Sequence, residues 1–462
     1  MLEELNRVLW GPLGVGLLGA AGLWLTVRTG WFQLRQARLW LGQTLGALLA
    51  GSPELDRQGG DSISPLQSLC TALGATIGAG SVLGVGAAIA SGGPGAVFWM
   101  WVMALFGMMT AYAENLLGLA YRRRQGGMWQ GGPMYYLSEG LGARPGCKAL
   151  GRALAGLFAG LCVLASLGMG NLSQVNAMAA ALQGAFGTPP PLTGAVVALA
   201  TGVLLWRGLK GVAAAAGRLV PLMAAFYLAG ALLVVGLHAA RLPAALEAIV
   251  RGAFGLRAAG GGLVGYGVWT AVRWGFARGC FSSEAGLGSS AIASGSASTP
   301  EPVQQGMWGM FQVFVSTFVV CTLTALAILT AGLVDLDTGR VAFSAPVEQL
   351  AGAAFASAFG PLGPVFLGVT VALFAWSSIL GWSQYGAACW TYLLGPDSLW
   401  IYKLVFLALT AAGACADFTL ALALADAVNG LMMLPNLAGL FALSGEVSRR
   451  TRRYLEEKRT AP

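Results

Sequence analysis

Eleven long apolar stretches run along this chain, and only 10% of its 462 residues are charged. An ordinary soluble domain carries roughly 25% charge, so 27 basic and 19 acidic side chains cannot cover a water-facing surface of this size. With 56% hydrophobic residues the chain is not disordered. Seven Cys, sparse and odd in number, exclude a secreted disulfide scaffold. Continuous runs rather than short alternating segments exclude a transmembrane barrel. What remains in lipid is helices that satisfy their own backbone. The chain therefore reads as an all-α polytopic membrane protein, and its 69 Gly suit close helix packing.

The stretches fall at 8–27, 65–92, 94–121, 153–183, 190–206, 215–237, 262–293, 304–333, 359–394, 399–414 and 417–444. Residues 30–50 interleave Leu34, Leu39, Leu41, Leu45 and Leu48 with Gln33, Arg35, Arg38 and Gln43, the pattern of an amphipathic helix lying in the interface. Glu3, Glu4 and Arg7 do not read as the basic start of a signal peptide. When the spaces between spans are assigned to alternate sides, 20 Lys and Arg fall on one side and five on the other. Arg273 and Arg278 lie within a span. Basic residues mark the cytoplasmic side, which places the N-terminus outside and the C-terminus inside. Arg241, Arg251 and Arg257 in the loop 238–260 run against that assignment. The +8 charge thus writes topology in the cell membrane and gives no reason to expect a nucleic-acid partner.

Two spans carry Gly, Ser and Thr where lipid favours Leu or Ala. They read GATIGAGSVLGVG at 74–86 and GFARGCFSSEAGLGSS at 275–290, and both run on into Ala-Ile-Ala-Ser-Gly. Gly costs about 1 kcal/mol against Ala inside a helix. Four spans separate the two, so each opens a five-span unit, and units of odd span number start on opposite sides of the membrane. Paired Gly-interrupted spans of this kind point to a transporter built of inverted repeats. Both segments are expected to be non-helical at their centres and to face each other.

Several polar residues fall on these spans. Thr76, Gly78, Gly80, Ser81 and Gly84 surround the first break, where free amides suit a substrate carboxylate and free carbonyls suit Na⁺. Thr76 and Ser81 either add hydroxyls to the site or bond back to their own helix. Glu114 and Glu284 are intramembrane carboxylates, candidates for function by default. Glu284 either braces the second break with Arg278 or handles an ion or proton. Glu114 reads as a gating group or the partner of a loop Arg. Asn171, Gln174 and Asn176 must face the bundle interior, as interhelical glue or as site residues. Asn171 and Gln174, three apart, should share a face. Ser377 and Ser378 offer adjacent hydroxyls for a hard cation beside carbonyls near Thr76 and Ile77. Trp382, four residues after Ser378, is either a pocket wall or packing. Phe276 is placed in the substrate set with Gln174 and Ser378. Asp426 and Asn429 form a further patch, read as structural. The one His, His238, falls in an outer loop, no metal cluster or nucleotide motif lies on a suitable turn, and the chain does not read as an enzyme.

The runs SPLQSLCTALGATIGAGSVLGV, GGPGAVFWMWVMALFGMMTAYAE, GGPMYYL, RGCFSSEAGLGSSAIA, FAWSSILGW and DAVNGLMMLPNLAGLFALSG closely resemble the alanine or glycine:cation symporters, the sodium:alanine symporter family. The resemblance spans about residues 8–447. It implies a LeuT-type fold: one extra N-terminal span, then two inverted five-helix repeats, about eleven transmembrane helices in all. The expected organisation is 1–63 for the first span and interfacial helix, 64–240 and 241–445 for the repeats, and 446–462 for a basic cytoplasmic tail. The resemblance also implies uptake of alanine or glycine with Na⁺ as coupling ion and no other cofactor. By it, Gln174, Ser378 and Trp382 match substrate positions, and Ser377 and Ser378 match the hydroxyl pair of the fold's Na⁺ site. Ser81 and Ser283 stand where the family usually has Asn, and a Lys is usual near Ala111. Besides a small amino acid and lipid, the sequence points to no partner and carries no signal for oligomeric state. The alternatives are a proton-coupled carrier using Glu284 and, from another class, an amino-acid sensor or channel without transport.

Overall fold

The computed structural model describes residues 2–57, 59–125, 127–255, 261–342, 350–416 and 418–460. Each of the eleven apolar stretches coincides with a helix or a broken pair of helices. After a short leading helix, Leu2–Leu9, come α1 (Pro12–Arg28), α2 (Pro65–Thr76), α3 (Gly80–Gly92) and α4 (Gly95–Ala120). Next are α5 (Lys148–Leu167), α6 (Ser173–Phe186), α7 (Pro190–Trp206), α8 (Gly208–Leu237) and α9 (Leu242–Ala253). The second half holds α10 (Gly261–Ser283), α11 (Ser290–Gly295), α12 (Pro302–Val313), α13 (Thr322–Thr330), α14 (Leu350–Phe359), α15 (Gly363–Leu394), α16 (Leu399–Gly413) and α17 (Phe418–Thr460). Arg123–Gln125 and Met128–Gln130 form one antiparallel strand pair.

Eight of the described helical segments are long and apolar enough to cross a membrane. The shorter helix α7 also has an apolar outward face. On α7, Leu192, Val196, Leu199, Val203 and Trp206 recur at helical spacing, and Leu199 and Trp206 are 73% and 74% exposed. A stripe like this on the outside of a bundle faces lipid, because water would not tolerate it. The chain is a multi-pass membrane protein.

The sequence sets the helix starts locally. Ser64 Oγ accepts from the Gln67 amide (3.2 Å), and the Gln67 side chain accepts from the Ser64 amide (3.3 Å), with Pro65 in the first turn. This reciprocal cap satisfies two donors that helix geometry leaves without partners. α2 and α3 are interrupted at 77–79, and α10 and α11 at 284–289. α3 packs along α10, while α2 packs along α11. The two broken spans therefore run antiparallel, as inversion requires. α4 covers α10, α11 and α12, and α15 lies against α2, α5, α6 and α8.

Three expectations change. The segment 30–50 is helical in two stretches rather than one, Phe32–Arg35 and a continuous run from Ala37 to Leu49 that carries a π turn at Gly42–Gly46. Phe32 and Trp40 are buried under it. The basic tail is the continuation of α17, its charges paired as Arg450–Glu446 and Arg453–Glu457, both 2.8 Å, and Tyr454 bonded to Gln43 (2.8 Å). In the segment 238–260 Arg251 pairs with Glu247 one turn away on α9 and so lies on a helix rather than in an open loop; Arg257 lies outside the described residues.

A charge at the centre of the lipid-facing stripe costs about 2.5–3.5 kcal/mol, and less near a helix end where the side chain snorkels. Leu199→Arg is expected to reduce the membrane-inserted fraction strongly and Leu192→Arg only slightly, as read by carbonate extraction of membranes. Equal behaviour of the two would contradict the lipid-facing assignment.

Candidate functional site

The interruption between α2 and α3 sits at mid-bundle, and α15 crosses directly behind it. Ser377 Oγ lies 3.1 Å from the Gly74 carbonyl oxygen and 2.8 Å from that of Phe374. Ser378 Oγ lies 3.0 Å from Gly74 O and 2.9 Å from Ala75 O. Each hydroxyl has a single proton to donate. Three carbonyls and two hydroxyls thus share two protons, an oxygen-rich cluster suited to a hard cation. Among the described residues no group of three His, Cys, Asp or Glu could hold a metal, so oxygens of this neutral kind are what a cation would meet.

The carbonyls here are Gly74 and Ala75, not those near Thr76 and Ile77. α2 stays helical through Thr76, and α15 crosses one turn earlier than the break. The Thr76 carbonyl accepts from the Gly78 amide (3.0 Å). Its hydroxyl donates to Ala72 O (2.7 Å) and accepts from Gln312 Nε2 (2.6 Å), so Thr76 bonds its own helix. Ile77 is buried, with its amide on Leu73 O (2.7 Å).

Gln174 and Ser378 grip the break from two sides. Gln174 Oε1 accepts from the Ala79 amide (3.2 Å), and Nε2 donates to Met169 O (3.2 Å). A Cβ on Gly78 would stand 2.6 Å from Ser378 Oγ and 2.9 Å from Gln174 Oε1. A methyl group there would have to push Ser378 and Gln174 off the bonds they make to the break. Asn171 and Asn176 do not join Gln174. Asn171 donates to Phe406 O (2.7 Å), and Asn176 donates to Gly413 O (3.3 Å) and Ala416 O (2.8 Å), stitching this span to α16. The π turn at Gly168–Leu172 widens the helix and breaks the shared face that regular spacing predicted.

The second interruption begins later than expected, because α10 continues to Ser283. Glu284 (φ 56°), Gly286 (φ 93°) and Gly288 (φ 79°) then turn left-handed. Glu284 does not pair with Arg278. Its Oε1 accepts from Trp382 Nε1 (2.9 Å) and its Oε2 from Ser289 Oγ (2.6 Å). Glu284 lies past the end of α10 in a left-handed turn that aims it at Trp382 and not back along the helix toward Arg278. Nor does Glu114 pair with a loop Arg. Its Oε1 accepts from the amides of Gly286 (3.0 Å) and Gly288 (3.1 Å) and from Asn436 Nδ2 (2.6 Å). Asn436 also donates to Gly286 O (2.9 Å) and accepts from Tyr136. Both carboxylates hold the loop 284–289 in place.

The two broken spans meet at Ser81 Oγ and Ser282 Oγ, 3.1 Å apart. Ser283 bonds back to Gly279 O (2.8 Å). A cavity of about 90 Å³ beside the first break is lined by Ala79, Gly80, Leu83, Gln174, Arg278 and Phe281, among others. Trp382 does not line it; it is fully buried and edge-on to Tyr385. Phe276 faces the other way, tilted against Trp99 at 6.5 Å. Sequence reasoning missed Phe281, one turn nearer the break, and missed Asn436 and Tyr136. The signals were in the quoted runs: Asn436 follows a helix-interior Pro435, and Tyr136 sits in GGPMYYL.

The ends of the broken spans away from that cavity are tied to each other and to α4 and α12. Ser68 donates to Ala293 O (3.1 Å), Ile63 N to Ser296 O (2.9 Å), Asn115 to Ser290 (3.1 Å) and Gln305 to Ser294 (3.0 Å). The cavity opens on the opposite half, between α3 and α10.

Comparison with known proteins fits this geometry. The profile described as the sodium:alanine symporter family matches residues 1–461. The sodium/alanine symporter AgcS of Methanococcus maripaludis is 38% identical over 460 residues, covering 99% of this chain and 97% of that protein. An uncharacterized transporter of Haemophilus influenzae is 39% identical over 464 residues, covering 99% and 96%. The solved structure of MhsT in complex with L-phenylalanine aligns with a TM-score of 0.54 at 14% identity, over 86% of this chain and 99% of that one. At that identity the likeness carries the fold, which is LeuT-type.

Forcing a methyl group between Gln174 and Ser378 costs about 1–3 kcal/mol in a packed interior, which is about tenfold or more in affinity. Gly78→Ala is expected to weaken amino-acid binding by that factor, measured by calorimetry on purified protein. Gly160→Ala, whose Cβ would meet nothing within 4 Å, should bind as wild type does. Identical binding by the two variants would remove the first break from the site.

Proposed function

Because the chain belongs to the sodium:alanine symporter family, we propose that the amino-acid symport it carries out is Na⁺-driven uptake of a small neutral amino acid, alanine or glycine. The observation that supports this reading best is the oxygen cluster of Gly74, Ala75, Phe374, Ser377 and Ser378, one turn from the amides of the first break. In this reading Na⁺ takes the cluster's oxygens, and the Ser hydroxyls turn their protons away. The substrate carboxylate meets the Gly80 amide at the start of α3 and takes the Ala79 amide from Gln174, while the Gly78 amide stays on the Thr76 carbonyl. Gln174, Gly80 and Phe281 bound a cavity of about 90 Å³, which favours a small side chain. Ion and substrate then grip opposite sides of one short segment, so each favours the conformation the other needs. Rocking of the broken-span pair against its surroundings would release the ties from α11 to α4 and α12, Asn115–Ser290 and Gln305–Ser294, and alternate access.

The proposed orientation keeps the N-terminus outside and the C-terminus in the cytoplasm, with repeats 64–240 and 241–445. Glu114 and Glu284 are read as braces of the second break, with no role in proton coupling.

Uptake of labelled alanine and glycine into proteoliposomes tests this directly. Accumulation is expected with a Na⁺ gradient and is expected to vanish with choline. Accumulation driven by a pH gradient without Na⁺ would replace this reading with proton coupling, and equilibration without accumulation would point to a channel. Ser377→Ala with Ser378→Ala removes two of five oxygens. It is expected to raise half-saturating Na⁺ about tenfold, equivalent to about 1.4 kcal/mol, and an unchanged value would overturn the cation assignment.

A further inference from the structure

Arg278 is a guanidinium in the outer half of a broken span, and nothing in the symport reading above uses it. Its charge lies over the rings of Trp274 (5.3 Å) and Phe281 (5.6 Å). Its Nε is buried and has no hydrogen-bond partner. Such a group is a donor held ready for an acceptor, because a buried donor left unpaired is costly.

Two cavities meet at this side chain. One is the 90 Å³ space at the first break. The other, of about 80 Å³, lies on the far side of Arg278 and Phe281 and is lined by Asn6, Trp10, Arg273, Trp274, Ala277 and Asp426. The leading segment is fixed over it, with Trp10 Nε1 on Asp426 O (2.9 Å) and Asn6 Nδ2 on Ala423 O (2.8 Å). Among the described residues, Arg278 and Asp426 are not closed into an ion pair. One small cavity thus presents two guanidiniums, Arg278 and Arg273, and one carboxylate, and of the two cations Arg278 is the one that also lines the inner cavity. The small cavity lies on the half of the bundle away from the tied ends of the broken spans, the half from which substrate would come.

We infer that the cavity between Arg278 and Asp426 is an entry site for the zwitterion of an α-amino acid. The guanidinium takes the α-carboxylate and Asp426 takes the α-ammonium, before the amino acid passes Phe281 to the first break. A charge-assisted pair at each end recognises the feature common to all α-amino acids and leaves the choice of side chain to the inner cavity. Asp426, read from the sequence as structural, is then a binding residue. The inference rests on amino-acid symport as proposed above.

The test compares uptake of labelled alanine by intact cells with uptake by inverted membrane vesicles, for wild type, Arg278→Gln, Arg278→Lys and Asp426→Asn, each normalised to inserted protein. Arg278→Gln and Asp426→Asn are expected to raise the half-saturating concentration in cells about tenfold or more, with the saturated rate kept. Arg278→Lys should shift it less, since it keeps the charge but loses the fork. In inverted vesicles, where substrate arrives from the other face, all four should match. Unchanged half-saturation in cells, or equal shifts at both faces, would overturn the entry site. A wild type without Na⁺-dependent accumulation would overturn the symport reading, and the entry site with it.

Discussion

A peptide group buried in an apolar bundle must find a partner, and at its two helix breaks this chain cannot supply one from the helix itself. Each buried group left unpaired costs about 1–3 kcal/mol. The residues around the breaks answer that demand. Gln174 accepts the Ala79 amide at the first break. Glu114 takes the amides of Gly286 and Gly288 at the second, while Asn436 donates to the Gly286 carbonyl. Most polar side chains that look functional in the sequence are where they are because the backbone needs them.

The two breaks are satisfied in different ways, and the difference suits one for exchange and the other for support. The second is held by two buried carboxyl groups, which between them take two amides, Asn436, Ser289 and Trp382. The first is held by neutral groups. Hydroxyls and an amide side chain can turn to an ion or a substrate at little cost, since net exchange of such bonds is worth only about 0.5–1.5 kcal/mol. A segment gripped weakly by its own protein is one that ligands can re-grip.

Much of this was legible in the sequence. Apolar runs fixed the class, and Gly-Ser-Thr clusters located both breaks because helix-disfavouring residues are rare at mid-membrane. The pairing of Ser377 and Ser378 with α2 followed from their adjacency and from the resemblance to a known family. What was not legible depended on direction. Glu284 lies after the helix has ended, in a left-handed turn, so its reach toward Trp382 could not be counted from helical spacing. A π turn moved Asn171 off the face of Gln174. Phe276 and Phe281 are equally aromatic in sequence, and only the angle of α10 against α3 shows which one covers Gly80. Asn436 reaches Glu114 across 322 positions, a contact no local pattern encodes.

If ion and substrate share one short segment of backbone, their binding free energies must be coupled, and the coupling must be reciprocal. Calorimetric titration of alanine into purified protein in Na⁺ and in choline, paired with titration of Na⁺ with and without alanine, measures it in both directions. The account predicts that Na⁺ tightens alanine binding, by a factor on the order of 5–150, and that alanine tightens Na⁺ binding by the same factor. Alanine binding of equal affinity in Na⁺ and choline would contradict it.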